Sequence, residues 1–182
     1  MNKQMNRSVL YIIVCAAGPA SHVQDFVTLA QSSGWDVYLI PTPNAVPFLD
    51  VPLLTSLTGH PIRSESRSPE NAGSTPPCNA LVVVAGTFNT INKFTIGIAD
   101  NRALTILCEN LGRGRPMLVV PCVNQQHLAR HPAFFKSLAT LRKGGVSVLY
   151  DLEKYPPRNE VPWTVVLEEL ERITKAETGS HS

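Results

Sequence analysis

An uninterrupted apolar run near the middle of the chain, Leu81 to Ala85, constrains the fold more than any other stretch. A run without alternation suits a strand that is covered on both faces, as in a parallel sheet between two layers of helices. The run ends at Gly86, and Thr87 to Thr90 then place hydroxyls and an amide where a strand would lead into a helix. Because ligands bind at such carboxyl ends in open α/β sheets, we expect a ligand site here.

Strand-turn-helix units precede and follow this run. By hydrophobic period and turn residues, we predict further strands at 9–17, 37–40, 117–120 and 146–149, and helices at 21–32, 51–57, 103–111, 131–144 and 164–175. Ser21 is predicted to cap the first helix, and the polar stretch 63–77 to form a loop. The alternation predicts an α/β fold with a doubly wound parallel sheet of five or six strands. We expect one domain over 9–176, with disordered ends at 1–8 and 177–182.

Composition limits the classes of function. The chain has 182 residues, 43% of them hydrophobic, which is enough for one soluble domain with a full core. Its 16 basic and 14 acidic residues form no run, so we expect no basic face for nucleic acid or membrane lipid. The first apolar segment is too short to span a bilayer. Four cysteines without a CxxC pair and five histidines without metal-ligand spacing indicate a reduced, cytoplasmic protein without a structural metal.

Other predicted strands also end in polar residues. Gly18 to Ser21 follow the first strand, where the amides of a helix start would suit a phosphate. An ordinary turn is the alternative, because no complete phosphate-binding motif is present. Thr42 and Asn44 follow the second strand, although both are also common turn residues. Asn124 follows the fourth strand. These positions indicate a small-molecule or peptide ligand that is contacted from several loops.

Two motifs carry a resemblance to a known family. Gly86 to Lys93 and Gly97 to Asn101 resemble the PASANT-type motif and GICDN-like segment of the homo-oligomeric flavin-containing cysteine decarboxylases, such as phosphopantothenoylcysteine decarboxylase and the peptidyl-cysteine decarboxylases. Pro121 to Leu128 falls where that family carries PxMNxxMW. The resemblance covers roughly 9–149. It implies a single-domain Rossmann-like (flavodoxin-like) fold, FMN as cofactor, and assembly into homotrimers or dodecamers.

The resemblance also implies a reaction and the residues that serve it. The reaction is the oxidative decarboxylation of a cysteine, at the carboxyl end of a peptide or in a cysteine conjugate. Asn124 matches the asparagine that holds the substrate carboxylate, and is the catalytic residue that the resemblance implies. The positions that match flavin contacts are Gly18, Ser21, Thr42, Phe48, Thr87, Asn89 and Thr90.

The chain departs from the family pattern at several motif positions. Ala85 stands where the first motif begins with proline, and Phe88 replaces a small residue, which would narrow the floor of the flavin pocket. In the second motif, Val123, His127 and Leu128 replace two methionines and a tryptophan.

The family's catalytic histidine, on a helix shortly before the third strand, has no counterpart. Counting back from Asn79 reaches Ala72 and Gly73 in the polar loop. The family's cysteine-containing clamp also has no counterpart after 151. His60 and His127 are the candidate replacement bases, since the ordinary pKa of imidazole suits proton transfer near neutral pH. We interpret Cys122, Cys15 and Cys108 as core residues, because no pattern around them would activate a thiol.

Three functions remain open at this point. The first is FMN-dependent decarboxylation of a carboxy-terminal cysteine. The second is an FMN-binding protein without decarboxylase activity that serves as a structural or regulatory subunit. The third retains the flavin with another reaction, such as prenyl transfer to FMN, and the asparagine motifs disfavour it. The absent helix histidine separates the first two.

Overall fold

The computed structural model describes residues 7–65, 75–124, 126–150 and 161–179. Five strands form one parallel sheet at its centre, in the spatial order second, first, third, fourth, fifth. Every residue of the third and fourth strands is buried, as the apolar runs predict for strands that are covered on both faces. The strands are β1 (Val9–Val14), β2 (Asp36–Pro41), β3 (Ala80–Gly86), β4 (Met117–Pro121) and β5 (Ser147–Val148).

Helices cover the two faces of the sheet. Those in the described residues are α1 (Val23–Ser32), α2 (Val51–Thr58), α3 (Phe88–Thr95), α4 (Arg102–Gly112), α5 (Pro132–Lys143) and α6 (Trp163–Gly179). Helices α1, α2 and α6 pack on one face, where Phe26, Leu54 and Leu170 are buried. Helices α3, α4 and α5 pack on the other face, where Ile91, Leu107 and Phe134 are buried. The predicted doubly wound parallel sheet is confirmed, with five strands in the described residues.

The chain changes its winding direction at β1. From β1 it passes through α1 to the outer strand β2, and then returns to β3 on the other side of β1. The turns after β1 and β3 therefore lead to opposite helix layers, which leaves a crevice between the carboxyl ends of these neighbouring strands.

The turn after β1 differs from its prediction. The strand ends at Val14, three residues early, and Gly18–His22 form a short 3-10 helix with Pro19 in its first turn. Helix α1 begins only at Val23, and His22 precedes it without a side-chain cap. The prediction that Ser21 caps α1 is therefore wrong. Its hydroxyl instead donates to the Gly18 carbonyl at 2.9 Å.

Two predicted boundaries differ slightly from the structure. The Ser8 carbonyl accepts a hydrogen bond from the Asp36 amide at 2.9 Å, so pairing with β2 already involves a residue placed in the N-terminal segment. The backbone of α6 continues to Gly179, beyond the predicted domain boundary at 176. The central part of the predicted polar loop, 66–74, and the connection 151–160 lie outside the described residues.

Both tryptophans of the chain pack in the α1–α2–α6 layer. Trp35 is buried there, and Trp163 stacks on Phe26 with ring centroids 5.5 Å apart. The other layer is lined instead by phenylalanines, among which Phe134 meets Tyr150 edge to face at 5.2 Å.

Within the described ranges, no helix has the length and apolar character needed to cross a membrane. The same residues contain no group of three or more His, Cys, Asp or Glu side chains that could hold a metal ion.

Candidate functional site

The carboxyl end of β3 turns into α3 through a threonine cap. The Thr87 hydroxyl accepts from the Thr90 amide at 3.4 Å and donates to the Thr90 hydroxyl at 3.0 Å. Thr90 is buried and lies near the thiol of Cys15, the residue that follows β1. Burial raises the pKa of that thiol to about 11, so Cys15 is a neutral link between the two strand ends at neutral pH. The motif's two threonines thus hold the crevice together.

The last residues of β3 have an unusual backbone. Ala85 is buried with a φ of 53°, in the left-handed region that L side chains rarely adopt, and the pairing with β4 shifts between Val83 and Gly86. A Cβ on Gly86 would lie 3.1 Å from the carbonyl oxygen of Val120. The small side chains of this motif therefore allow β3 and β4 to approach closely just before the turn.

Asn124 lies in the loop that follows β4. The Cys122 amide donates to the Gly86 carbonyl at 2.8 Å, which keeps this loop beside the end of β3. The Asn124 side-chain oxygen accepts from the Gln126 amide at 2.9 Å, and its main-chain oxygen accepts from the Ala129 amide at 2.9 Å. Since the oxygen is used within the loop, the NH₂ group is the part of this exposed side chain that can donate to a ligand.

The turns after β1 and β2 complete this edge of the sheet. The 3-10 helix Gly18–His22 packs against the end of β3 and against a second 3-10 helix, Pro43–Phe48. Gly18 and Ser21 are exposed, whereas Thr42 is buried and its amide bonds the Val14 carbonyl at 2.8 Å. Phe48 is 44% exposed, a large fraction for a phenylalanine.

The predicted site residues therefore share the carboxyl edge of the sheet but differ in exposure. The exposed ones can meet a ligand directly, while the buried Thr42 and Thr90 stabilise the turns. Exposed or half-buried are Gly18, Ser21, Phe48, Thr87, Asn89 and Asn124.

His60 lies at the amino-terminal end of β2, whereas the crevice lies at the carboxyl ends of the strands. Its Nε2 is 2.7 Å from Oδ1 of Asp36, the first residue of β2, and its ring stacks on Tyr38 with centroids 3.8 Å apart. Strand β2 runs its full length between this pair and the loop at Thr42. The hypothesis that His60 replaces the missing base within this chain's crevice is therefore wrong.

Phe88 does not face the crevice as its place in the motif suggested. Its ring packs between α3 and α5, near Phe134 at 6.5 Å and edge-on to His131 at 5.5 Å. The expectation that Phe88 narrows the flavin pocket is wrong, because the first turn of α3 points this side chain toward the neighbouring helix.

Two histidines lie in the segment that joins β4 to α5. His127, one of the two predicted bases, is exposed just before a short 3-10 turn. His131 was not predicted as a site residue; its Nδ1 accepts from the Ala133 amide at 3.1 Å and so caps α5. The signal that could have found it is the pair His131-Pro132, which follows shortly after the second motif. With Nδ1 used as an acceptor, Nε2 of the neutral ring carries the proton and is a donor.

Neither Cys122, at the crevice, nor Cys108, on α4, has an activated thiol. Cys122 is half-buried against the core, Cys108 is half-buried on α4, and burial raises the pKa of both. These positions support the interpretation of Cys15, Cys108 and Cys122 as packing residues.

Comparisons with known proteins agree with this architecture. The chain is 25% identical over 158 residues to the coenzyme A biosynthesis bifunctional protein CoaBC of Bacillus subtilis (strain 168), a match that covers 82% of this chain but only 37% of that protein. Among solved structures, the FMN-dependent cysteine decarboxylase TvaF from thioviridamide biosynthesis superposes with a TM-score of 0.72 at 20% identity, covering 92% of this chain and 98% of TvaF.

HAL3 from Cryptococcus neoformans superposes with a TM-score of 0.70 at 18% identity, covering 94% of this chain and 98% of HAL3. At these identities, the structural matches establish the shared fold. The family described as Flavoprotein matches residues 2–176, which is nearly the whole chain. The chain therefore belongs to the Flavoprotein family.

Proposed function

We propose that this protein binds FMN and oxidatively decarboxylates a cysteine, either at the carboxyl end of a peptide or in a small cysteine conjugate. The observation that carries the proposal is the placement of Thr87, Asn89 and Asn124 at adjacent carboxyl ends of β3 and β4. Membership in the Flavoprotein family and the likeness to FMN-dependent cysteine decarboxylases support it.

The residues at this edge fit FMN chemically. The backbone of the turn at Gly18 suits a phosphate. The hydroxyls of Ser21 and Thr87 donate their protons to Gly18 and Thr90, so they suit the donors of a hydroxylated chain as acceptors. The exposed ring of Phe48 suits an aromatic ring system. Asn89, in the first turn of α3, adds an exposed amide. Thr42 and Thr90 would hold the surrounding turns. When bound, the flavin supplies the oxidising equivalent by accepting hydride from the substrate cysteine.

Asn124 would position the substrate by its carboxylate. Its NH₂ group can donate to a carboxylate oxygen, while the bond from the Gln126 amide holds the side chain in place. A carboxylate that is held in this way is oriented for loss as carbon dioxide. His127 remains the candidate for taking the proton from the substrate thiol, and the neutral His131 can donate but not accept at Nε2.

Replacing Asn124 by aspartate tests this role. Asn124→Asp keeps the oxygen that accepts from the Gln126 amide but changes the donor into a second anionic oxygen, which repels a carboxylate. We expect kcat/KM to fall at least about 100-fold, as when an oriented donor is removed from an active site, with FMN still bound. The assay is mass spectrometry of peptides ending in cysteine, which should lose about 46 Da as carbon dioxide and two hydrogens.

Gln126→Glu is the matched control, since it adds the same charge at an exposed position two residues away. Equal losses of activity in both variants would show a general charge effect and contradict the role of Asn124. A purified protein that does not take up FMN would contradict the cofactor as well.

A flavoprotein without decarboxylase activity is the second candidate function. The position of His60 favours this candidate. Because His60 lies at the opposite end of β2 from the crevice, it does not replace the family's catalytic histidine in this chain's crevice. Protein that holds FMN but causes no mass loss in peptides ending in cysteine, or in phosphopantothenoylcysteine, would decide for this candidate.

The proposal includes assembly into a homotrimer or a dodecamer, in the cytoplasm. Exposed Ile96 and Ile98, between α3 and α4, are apolar side chains that an assembly could cover. Light scattering of the FMN-loaded protein distinguishes monomer, trimer and dodecamer by mass.

A further inference from the structure

Basic and acidic residues are unevenly distributed along this chain. Between Glu109 and Asp151 the sequence contains no acidic residue, although the whole chain is nearly balanced. The expectation of no basic face rested on that overall balance and does not describe this part of the surface. The same interval holds six cations: Arg113, Arg115, Arg130, Lys136, Arg142 and Lys143.

Four of these cations lie on α5 or just before it, and the outer surface that carries them is here called the α5 basic face: Arg130, Lys136, Arg142 and Lys143. All four are exposed, and within the described part of the chain none of them makes an ion pair. Lys136 and Lys143 are seven residues apart, or about two helical turns, so they lie on the same side of the helix. The opposite side of α5 is buried against the sheet.

Helix stability explains only half of the α5 basic face. Arg142 and Lys143 lie in the last turn, where cations favour the helix dipole. Arg130 lies before α5 and Lys136 lies beyond its first turn, where the dipole has little effect, so helix stability explains neither cation. The excess of exposed cations over a stretch of sequence without acidic residues instead favours an anionic partner by its charge.

The α5 basic face begins next to the proposed substrate site. From Asn124 the loop turns back through the bonds Ala129 amide to Asn124 carbonyl and His131 amide to Leu128 carbonyl, both within 3.1 Å. His131 then caps α5, and its ring meets Phe88 in the first motif at 5.5 Å. A substrate that is held by Asn124 can thus extend directly onto α5.

We propose that the α5 basic face binds an acidic segment of the substrate peptide, upstream of the cysteine that Asn124 holds. This inference rests on the proposed function and selects peptides over small cysteine conjugates. Helix α5 has 12 residues and is about 18 Å long, which an extended peptide covers with about six residues. Exposed Leu128 and Phe135 offer apolar contacts beside the cations.

The number and arrangement of the cations favour a peptide over nucleic acid. Four cations along one short helix are few for tracking a phosphate backbone, and the α5 basic face leads from the crevice rather than across a broad surface. Nucleic acid is nevertheless included in the test.

Fluorescence anisotropy of labelled peptides measures this binding without requiring turnover. One peptide ends in cysteine and carries glutamates over the preceding six or so residues; its partner carries glutamines at the same positions. At low salt we expect the acidic peptide to bind about tenfold more tightly, as several weak surface ion pairs allow. High salt should remove this difference.

Two double variants with equal charge change locate the site. Lys136→Gln with Lys143→Gln should weaken binding of the acidic peptide about fivefold and leave the neutral peptide unaffected. Arg172→Gln with Lys175→Gln, on α6 in the other layer, is the control and should have no effect. Equal affinities of the two peptides for the unmodified protein would overturn the proposal. Tighter binding of an oligonucleotide through the same lysines would also overturn it.

The assay also separates this inference from the proposed function. Decarboxylation of a short neutral peptide ending in cysteine does not need the α5 basic face. If the protein does not decarboxylate this neutral peptide, the decarboxylase function is contradicted. If it does decarboxylate the peptide but binds acidic and neutral peptides equally well, only the inference about the α5 basic face is contradicted.

Discussion

At the scale of single residues, Ala85 occupies a conformation that its side chain disfavours. Its φ of 53° costs a non-glycine residue roughly 1 to 2 kcal/mol. We expect Ala85→Gly to change the free energy of unfolding by less than about 1 kcal/mol, because relief of the strain is offset by the larger unfolded-state entropy of glycine and by the loss of a buried methyl group. Urea unfolding measures this change. Ala80→Gly, at the start of the same strand with an ordinary φ, loses the same methyl without relief of strain and should lower stability more, by about 1 to 2 kcal/mol; equal losses in the two variants would contradict the argument.

The buried thiol of Cys15 makes stability depend on alkaline pH. Burial raises its pKa from 9.0 to about 11, so above pH 9 the unfolded chain releases a proton that the folded chain retains. The free energy of unfolding should therefore fall as pH rises from 9 to 11, by about 2 to 3 kcal/mol for this group. Cys15→Ala should reduce the slope, as measured by urea unfolding on either side of pH 9. Part of the slope should remain in this variant, because burial also raises the pKa of Cys78 to about 11.

Residue roles were the least predictable part of the site from sequence. Motif position located Thr87, Asn89 and Asn124 at one edge, because strand ends in a parallel sheet meet there. It did not reveal that Phe88 turns toward α5 or that His60 pairs with Asp36, since both depend on contacts between segments distant in sequence. Local pattern carries no information on such contacts.

At the scale of elements, the close approach of β3 and β4 depends on Gly86. A Cβ there would meet the Val120 carbonyl at 3.1 Å, and backbone cannot move aside as a side-chain end can. We expect Gly86→Ala to destabilise the protein by about 1 to 3 kcal/mol and to weaken FMN binding. Gly112→Ala, in open space at the end of α4, should be neutral or slightly stabilising. Thermal unfolding of both variants checks this, and a neutral Gly86→Ala would contradict it.

Elements with strong patterns were predictable, and those with competing signals were not. The apolar runs of β3 and β4 identified buried strands, and Gly59, with a φ of 72°, ends α2 as expected of a glycine cap. The turn after β1 was misjudged because Pro19 favours a tight first turn and starts a 3-10 helix before α1. The Ser21 hydroxyl therefore bonds within this 3-10 helix instead of capping α1.

At the scale of the whole molecule, ligand binding should increase the free energy of unfolding and the Tm. FMN at 100 times its Kd would stabilise the folded protein by about 2.7 kcal/mol, which for a chain of this length raises Tm by roughly 5 to 10 °C. Riboflavin, which lacks the phosphate, should give a smaller shift at the same concentration, because the turn at Gly18 would have no anion to bind. Equal shifts in a thermal scan would contradict phosphate recognition at that turn.

The placement of both tryptophans in the α1–α2–α6 layer has a spectroscopic consequence. Trp35 and Trp163 lie on the side of the sheet away from α5, so intrinsic indole emission reports on one layer alone. Far-ultraviolet circular dichroism averages over the helices of both layers. Superimposable denaturation curves from the two signals would mean that the two helix layers unfold together. A difference between the two curves would measure how independently the layer that contains α5 can unfold.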